Sequence, residues 1–275
     1  MANTLYLVPS PIGNLNEISP RIKETLLGVD FIACEDTRNT QKLLSLIGIS
    51  KPCISCHEHN EQKESEIIVK KILNGQDCAY LSDAGFPCIS DPGFLLVKEC
   101  IKSNINIIPL SGPNAALLAL IASGLDTDHF LFYGFLNPKI SKKETEIEKL
   151  SSFPYTIILY ESPHRINETI ISLYKVLGNR KLVIARELTK KFEEFIRSDL
   201  KTLSSSNQEY KGELVLVLEG YKEIEKGNVS LDKNVLEKAK KLESLNYSKK
   251  EIASILSTLY ELNKNQIYKE LIKEN

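Results

Sequence analysis

YLSDAGFPCISDPG, residues 80–93, is the stretch on which the reading of the whole chain turns. A β-rich apolar run at 77–81 opens into Asp83, two glycines, two prolines and a second aspartate, Asp91. Ala84 and Gly85 leave the backbone bare, so a ligand can approach it closely. Pro87 and Pro92 fix φ and lower the entropy lost when the loop orders. Ligands of open α/β sheets sit at loops that leave the C-terminal ends of parallel strands. Two more loops share this character: PSPIGN at 9–14, and SGPNA at 111–115. Each follows a β-rich run, at 4–8 and 105–110. One such loop reads as an ordinary tight turn, whereas three at strand ends point to a single site.

Outward from these loops the first half alternates between two periods. Strands are predicted at 4–8, 29–34, 77–81 and 105–110. Helices are predicted over 20–27, 37–47, 61–73, 93–102 and 114–123. Ser19-Pro20 has the form of an N-cap with proline at the first helical position, and Gly48 and Asn74-Gly75 are stops. Strand–helix alternation with short connections implies a largely parallel sheet. A second set of strands follows at 130–133, 156–160, 181–185 and 213–219, with a helix ending near Gly178. The charged stretch NPKISKKETEIEKL, 137–150, reads as a loop entering a solvated helix. The domains expected are an α/β unit at 1–124, a second at 125–222 and a helical tail at 223–275. In the tail, Ser248 and Glu251 have capping-box spacing, and Asn265 is assigned as the cap of a last helix. The tail is either helix-turn-helix-like or a small bundle.

Composition excludes several classes. Lys plus Arg number 35 against 36 acidic residues, so no global field draws the protein to nucleic acid or membrane. RNA binding therefore needs a local patch. No run approaches the roughly 18 apolar residues of a membrane helix. MANTLYLVPS lacks the basic and apolar regions of a signal peptide, so a cytoplasmic protein with free thiols is expected. Cys53-Ile54-Ser55-Cys56-His57 matches the haem-attachment pattern C-x-x-C-H, without an export signal or a second ligand pair. It is read as coincidence, and no metal site is expected. Neither a G-x-x-x-x-G-K-[ST] loop nor G-x-G-x-x-G occurs, which removes the main support for nucleotide hydrolysis and for a dinucleotide oxidoreductase.

Four polar clusters are placed at strand ends on the same rim: Glu35-Asp36-Thr37-Arg38, His57-Glu58-His59-Asn60-Glu61, Glu161-Ser162-Pro163-His164-Arg165 and Arg186-Glu187-Leu188-Thr189-Lys190. Arg38, Arg165, Arg186 and Lys190 either form a phosphate-binding patch or make salt bridges with the neighbouring acids. Both readings stay open on the residues alone.

VPSPIGNL, EDTRNT, HEHNE, SDAGFPCISDPG, YESPHR and ARELTKKFEE occur in this order. Together they resemble the ribosomal RNA small subunit methyltransferase I family, the 16S rRNA cytidine 2'-O-methyltransferases of the tetrapyrrole methylase superfamily. The resemblance runs from about residue 4 to 220. It implies a two-domain, class III α/β methyltransferase with a small helical C-terminal tail. It implies S-adenosylmethionine as cofactor, a homodimer, and a cytidine in the decoding region of the 30S subunit as substrate. By this resemblance Asp83, Ala84, Gly85, Phe86 and Ile89 contact the cofactor, with Pro11, Asn114, Ala115, Glu161 and Glu187. Glu35, Asp36, His59 and Glu161 are unranked candidates for a general base. Phe86 stands where the family has threonine in SDAGTP, and Ser111 and Asn114 depart from its PGPSA-like turn. The stretch after 137–138 lacks the family's arginine. The competing functions are a methyltransferase of the same fold acting on a small tetrapyrrole, and a non-catalytic RNA-binding assembly protein.

Overall fold

The structure is a computed structural model that describes residues 3–206, 208–222, 233–260 and 264–273. The chain divides into two compact units, Met1–Gly220 and Tyr221–Asn275.

The first unit holds two five-stranded sheets. One consists of β1 (Thr4–Val8), β2 (Phe31–Cys34), β3 (Cys53–Ser55), β4 (Cys78–Leu81) and β5 (Asn106–Pro109), in the order β3-β2-β4-β1-β5. Every pairing in it is parallel. Parallel neighbours need long crossovers, and helices supply them: α1 (Pro20–Gly28), α2 (Thr37–Leu46), α3 (Glu61–Leu73) and α4 (Phe94–Lys102). β2 and β4 are buried at every position, as strands covered on both faces must be. Along β2 the faces alternate: Phe31 and Ala33 join one core cluster, Ile32 and Cys34 the other. β3 was not predicted; three half-buried residues are too few to show a period.

α5 (Ala115–Ser123) links β5 to the second sheet in the chain and packs on that sheet. Its Ala116, Ala119 and Leu120 pack with Ile158, Val183 and Val217 of the second sheet. That sheet has the order β6-β7-β10-β8-β9. Its strands are β6 (Phe130–Phe135), β7 (Thr156–Glu161), β8 (Lys181–Arg186), β9 (Glu194–Asp199) and β10 (Leu214–Leu218). Only β6 and β7 run parallel; the β7–β10, β10–β8 and β8–β9 pairs are antiparallel. β9 was also unpredicted: it is an edge strand, and EFIRSD lacks a continuous apolar face.

The helices of this half are α6 (Ile140–Lys149), α7 (Ile166–Leu177) and the short α8 (Leu200–Ser204). α6 departs from the solvated helix expected of its sequence. Lys143 and Ile147 are completely buried, and Ile147 belongs to the core of this sheet.

The second unit contains α9 (Lys233–Ser244), α10 (Lys249–Tyr260) and α11 (Lys264–Lys273). Val235, Ala239, Ile252, Leu256, Ile267 and Leu271 share one core. The capping box forms as its spacing predicts, with Ser248 N donating to Glu251 Oε2 at 2.8 Å and Glu251 N to Ser248 Oγ at 3.4 Å. Asn265 lies within α11 (Lys264–Lys273) rather than before it. No helix among the described residues is long and apolar enough to cross a membrane.

Candidate functional site: a carboxylate-lined cavity at the strand ends

β1 and β4 are neighbours, so the loops that leave them meet. Ser10 N donates to Gly85 O at 2.8 Å, Gly85 N to Ser10 O at 2.9 Å, and Ser10 Oγ to Ser82 O at 2.7 Å. The loop after β4 then follows a tight path through four left-handed positions, Gly85, Cys88, Ser90 and Gly93, with φ of 70°, 69°, 61° and 126°. Cys88 and Ser90 are side-chain-bearing residues in a region that disfavours them, a form of strain that clusters at ligand sites. Gly93 is required on two counts: its φ is positive, and a Cβ there would lie 2.7 Å from Cys88 Sγ and against the Tyr80 ring.

The loop's exit is fixed by a residue the sequence analysis did not single out. Glu61, from the HEHNE motif and 7% exposed, turns its carboxylate onto the first turn of α4. Its Oε1 accepts from Gly93 N at 2.9 Å, Leu95 N at 2.8 Å and Leu96 N at 3.4 Å. Gly93 has no side chain with which to cap α4, and Glu61 supplies the cap from 32 residues away in sequence.

This loop forms one wall of a cavity of about 350 Å³, within the range of small-molecule sites. Ala84, Gly85, Phe86 and Ile89 line it, as do Asn114 and Ala115 at the start of α5. Tyr160 and Glu161 at the end of β7, Leu188, and the segment leading into β10 close the other side. Asn114, a departure from the family turn, caps α5 by accepting from Leu117 N at 2.9 Å. Among the described residues three acids belong to this lining, Asp91, Glu161 and Glu213, and no Lys, Arg or His does. Asp91 is the most perturbed: burial, then the charges of Glu35 and Asp83, push its pKa up to about 6, partly offset by a hydrogen bond from Ser82. Only its position in the quoted loop hinted at it.

Three residues assigned to the cofactor lie outside this lining. Pro11 faces a smaller hollow of about 170 Å³ with Asn39 and Asp83, and Ile12 takes the place in the cavity wall. Asp83 accepts from Asn39 Nδ2 at 2.8 Å and points away from the cavity. Glu187 braces the segment before β10: it accepts from Glu213 N at 3.0 Å and Lys190 Nζ at 2.9 Å, which lowers its pKa. Its neighbour Leu188 lines the cavity instead.

Next to the cavity is an open polar hollow of about 430 Å³. Glu35, Asp36, Arg38, Ser55, His57 and Asp83 line it. The four candidate bases differ here. Asp36 caps α2 through Arg38 N at 2.8 Å and forks onto the Arg38 guanidinium, which holds its pKa down at about 2. His59 is exposed and lines neither space; His57 does. Glu161 has both oxygens engaged. Glu35 is half-buried and faces the hollow, its pKa raised by burial and by Asp83.

The four cations are all paired. Arg38 pairs with Asp36 but stays exposed beside the hollow, at 84% for its side chain. Arg165 holds Glu161, Arg186 holds Glu194, and Lys190 bridges Glu187 and Glu213. The stem of Lys190 also lies over Gly13, where any Cβ would collide with it. Among the described residues no group of three or more His, Cys, Asp or Glu is arranged to hold a metal ion. Cys56 is buried, with a pKa pushed up to about 12.

Residues 4–204 match the family model of tetrapyrrole (corrin/porphyrin) methylases. A ribosomal RNA small subunit methyltransferase I of Vibrio cholerae is 41% identical over 273 residues, covering 98% of this chain and 94% of the relative. The Bacillus subtilis protein of the same name is 46% identical over 218 residues, covering 78% and 75%. The chain belongs to the ribosomal RNA small subunit methyltransferase I family of tetrapyrrole methylases. Solved structures agree on the fold. A cobalt precorrin-4 methyltransferase superposes with a TM-score of 0.58 at 14% identity, covering 79% of this chain and 95% of its own. A diphthine synthase superposes at 0.60 and 12% identity, covering 78% and 90%. At such identities these likenesses speak to architecture alone. Family membership places the cavity and its β4 loop in a methyltransferase.

Proposed function

We propose that the chain transfers a methyl group from S-adenosylmethionine to the 2'-hydroxyl of a cytidine in the decoding region of 16S rRNA, acting on the small ribosomal subunit in the cytoplasm as a homodimer. The observation that carries the cofactor reading is the cavity lining, which among the described residues includes three acids and no basic side chain. S-adenosylmethionine is cationic at its sulfonium and ammonium groups and suits such a lining; Glu161 and Glu213 are already paired with Arg165 and Lys190, so Asp91 carries the charge that is not ion-paired among these three. The substrate reading rests on the names of relatives that share 38–46% identity with this chain.

Ala84, Gly85, Phe86 and Ile89 would hold the cofactor on one side, and Asn114, Ala115 and Glu161 on the other. Bound there, it supplies an electrophilic methyl on a good leaving group. The protein's task is then mainly to position the attacking hydroxyl and to accept its proton. Of the four candidates, Glu35 suits that step best. It faces the adjoining hollow, and its raised pKa brings it closer to neutral pH, where a general base is most effective. Arg38, exposed at the rim, would engage an RNA phosphate.

The deciding test is methyl transfer from labelled S-adenosylmethionine to 30S subunits lacking small-subunit ribose methylation, read by nucleoside mass spectrometry. A 2'-O-methylcytidine product is expected. Cofactor binding without transfer to the subunit, but with transfer to a precorrin-type substrate, would overturn the RNA reading.

A further inference from the structure

Lys143 is a lysine with no exposed surface, on a helix whose sequence reads as solvated. Burying an ammonium costs several kcal/mol unless its donors are met. Two of its three N–H groups are met by residues of α7: Glu168 Oε1 at 2.6 Å and Thr169 Oγ1 at 3.1 Å. Thr169 is itself fully buried, and its hydroxyl lies 2.6 Å from Glu161 Oε2, a carboxylate of the cavity wall.

The chemistry of these groups sets the direction of the chain. An ammonium can only donate, so Thr169 accepts from Lys143 and its single proton is left for Glu161. The other carboxylate oxygen accepts from Ser162 N at 2.7 Å and lies 3.1 Å from Arg165 Nε. One hydrogen bond to each oxygen, with the ion pair to Arg165, whose Nε–H is donated to Ser162 Oγ at 3.1 Å, stops the carboxylate from rotating. The two hydrogen bonds use two of its roughly four acceptor sites, which leaves acceptor capacity for a ligand.

We infer that Lys143 and Thr169 are positioning residues for cofactor binding. They hold the Glu161 carboxylate so that a free lone pair accepts a hydrogen bond from a donor group of the ligand, a ribose hydroxyl or an α-ammonium. The inference rests on the reading that the cavity takes S-adenosylmethionine. It also gives the basic stretch after 137–138 an internal role for Lys143, in place of contact with RNA.

The test is calorimetric binding of S-adenosylhomocysteine and of 5'-methylthioadenosine, which keeps the ribose but lacks the amino-acid part. Thr169→Val removes the hydroxyl at nearly constant shape; Thr169→Ser keeps it. The valine variant is expected to bind S-adenosylhomocysteine about tenfold more weakly, as for one lost buried hydrogen bond. The serine variant should return to within about threefold of wild type, a rescue that a purely structural role does not predict. A parallel loss for 5'-methylthioadenosine would identify the donor as ribose, and an unchanged value would identify the ammonium. Lys143→Met should match the valine variant. In a Glu161→Gln background, Thr169→Val should have little further effect, since neighbours in one network are not additive. Thr169→Val that melts and binds like wild type, or is additive with Glu161→Gln, overturns the inference alone. Wild-type protein that binds neither ligand overturns the cofactor reading and this inference with it.

Discussion

Replacing Glu61 with alanine tests whether the loop after β4 is held in place from the HEHNE motif. The side chain makes two short bonds to backbone N–H groups, at 2.9 and 2.8 Å, and a long one at 3.4 Å that contributes little. Glu61 is buried, so solvent does not screen these bonds appreciably. A hydrogen bond to a charged group contributes about 1.5–3 kcal/mol, and loss of a helix N-cap costs about 0.5–2 kcal/mol. These figures overlap, because the cap is the bonds. We expect a loss of about 3 kcal/mol for Glu61→Ala, or about 6–12 °C in melting temperature for a unit of this size. Glu61→Gln keeps an acceptor oxygen and loses only the charge, so it should cost about 1 kcal/mol. The chain has no tryptophan, so urea unfolding is followed by far-UV circular dichroism and tyrosine fluorescence. Because Gly93 ends the cavity loop, Glu61→Ala should also weaken S-adenosylmethionine binding, in step with the stability loss. An alanine variant within about 0.5 kcal/mol of wild type, the range of an ordinary surface substitution, would refute the capping argument. So would Glu61→Gln of normal stability but no turnover, which would make Glu61 a chemical group instead.

Two further predictions concern charge. Asp91, with its pKa pushed up by burial from the ordinary 3.8 to about 6, is mostly ionised above pH 6 and mostly neutral below it. Binding of cationic S-adenosylmethionine should therefore weaken as pH falls through about 6, and Asp91→Asn should flatten the dependence; a flat wild-type profile would count against the carboxylate lining. The folded state gains protons on this group, so its contribution to stability is full below pH 3.8 and lost as pH rises through 6. Asp91→Asn should accordingly melt higher than wild type at pH 8. Arg38 and Arg165 should separate by ligand: Arg38→Ala lowers RNA affinity and its salt dependence, with a slope change of about 0.7–0.9, and leaves cofactor affinity unchanged. Arg165→Ala weakens cofactor binding instead, because Arg165 holds Glu161. Filter binding across a salt series, with calorimetry for the cofactor, checks both, and the reverse pattern would refute the assignment.

The parts of the fold legible in the sequence were those set by short-range signals. The Ser19-Pro20 start of α1 and the Ser248–Glu251 box are local hydrogen-bond patterns, and both formed where their spacing placed them. The parallel first sheet followed from strand–helix alternation. β3 and β9 were missed for the same reason: one is three residues long, the other an edge strand with no apolar face, so neither carries a period.

At the site, the bare loop at 80–93 and the family it belongs to were readable from residue types and their order. What each polar side chain does there was not. Glu61 caps a helix 32 residues on, Asn39 meets Asp83 across 44, and Lys143 reaches Thr169 across 26. These partners are set by which strands are neighbours and which helix faces point inward. Ser10 meets Gly85 only because β1 lies beside β4. The sequence by itself determined the loops, the alternation and the chemistry available at the rim. Tertiary structure decided which carboxylates face the cavity, which cations are already paired and which lysine is buried, because burial and charge pairing act through space between residues far apart in the chain.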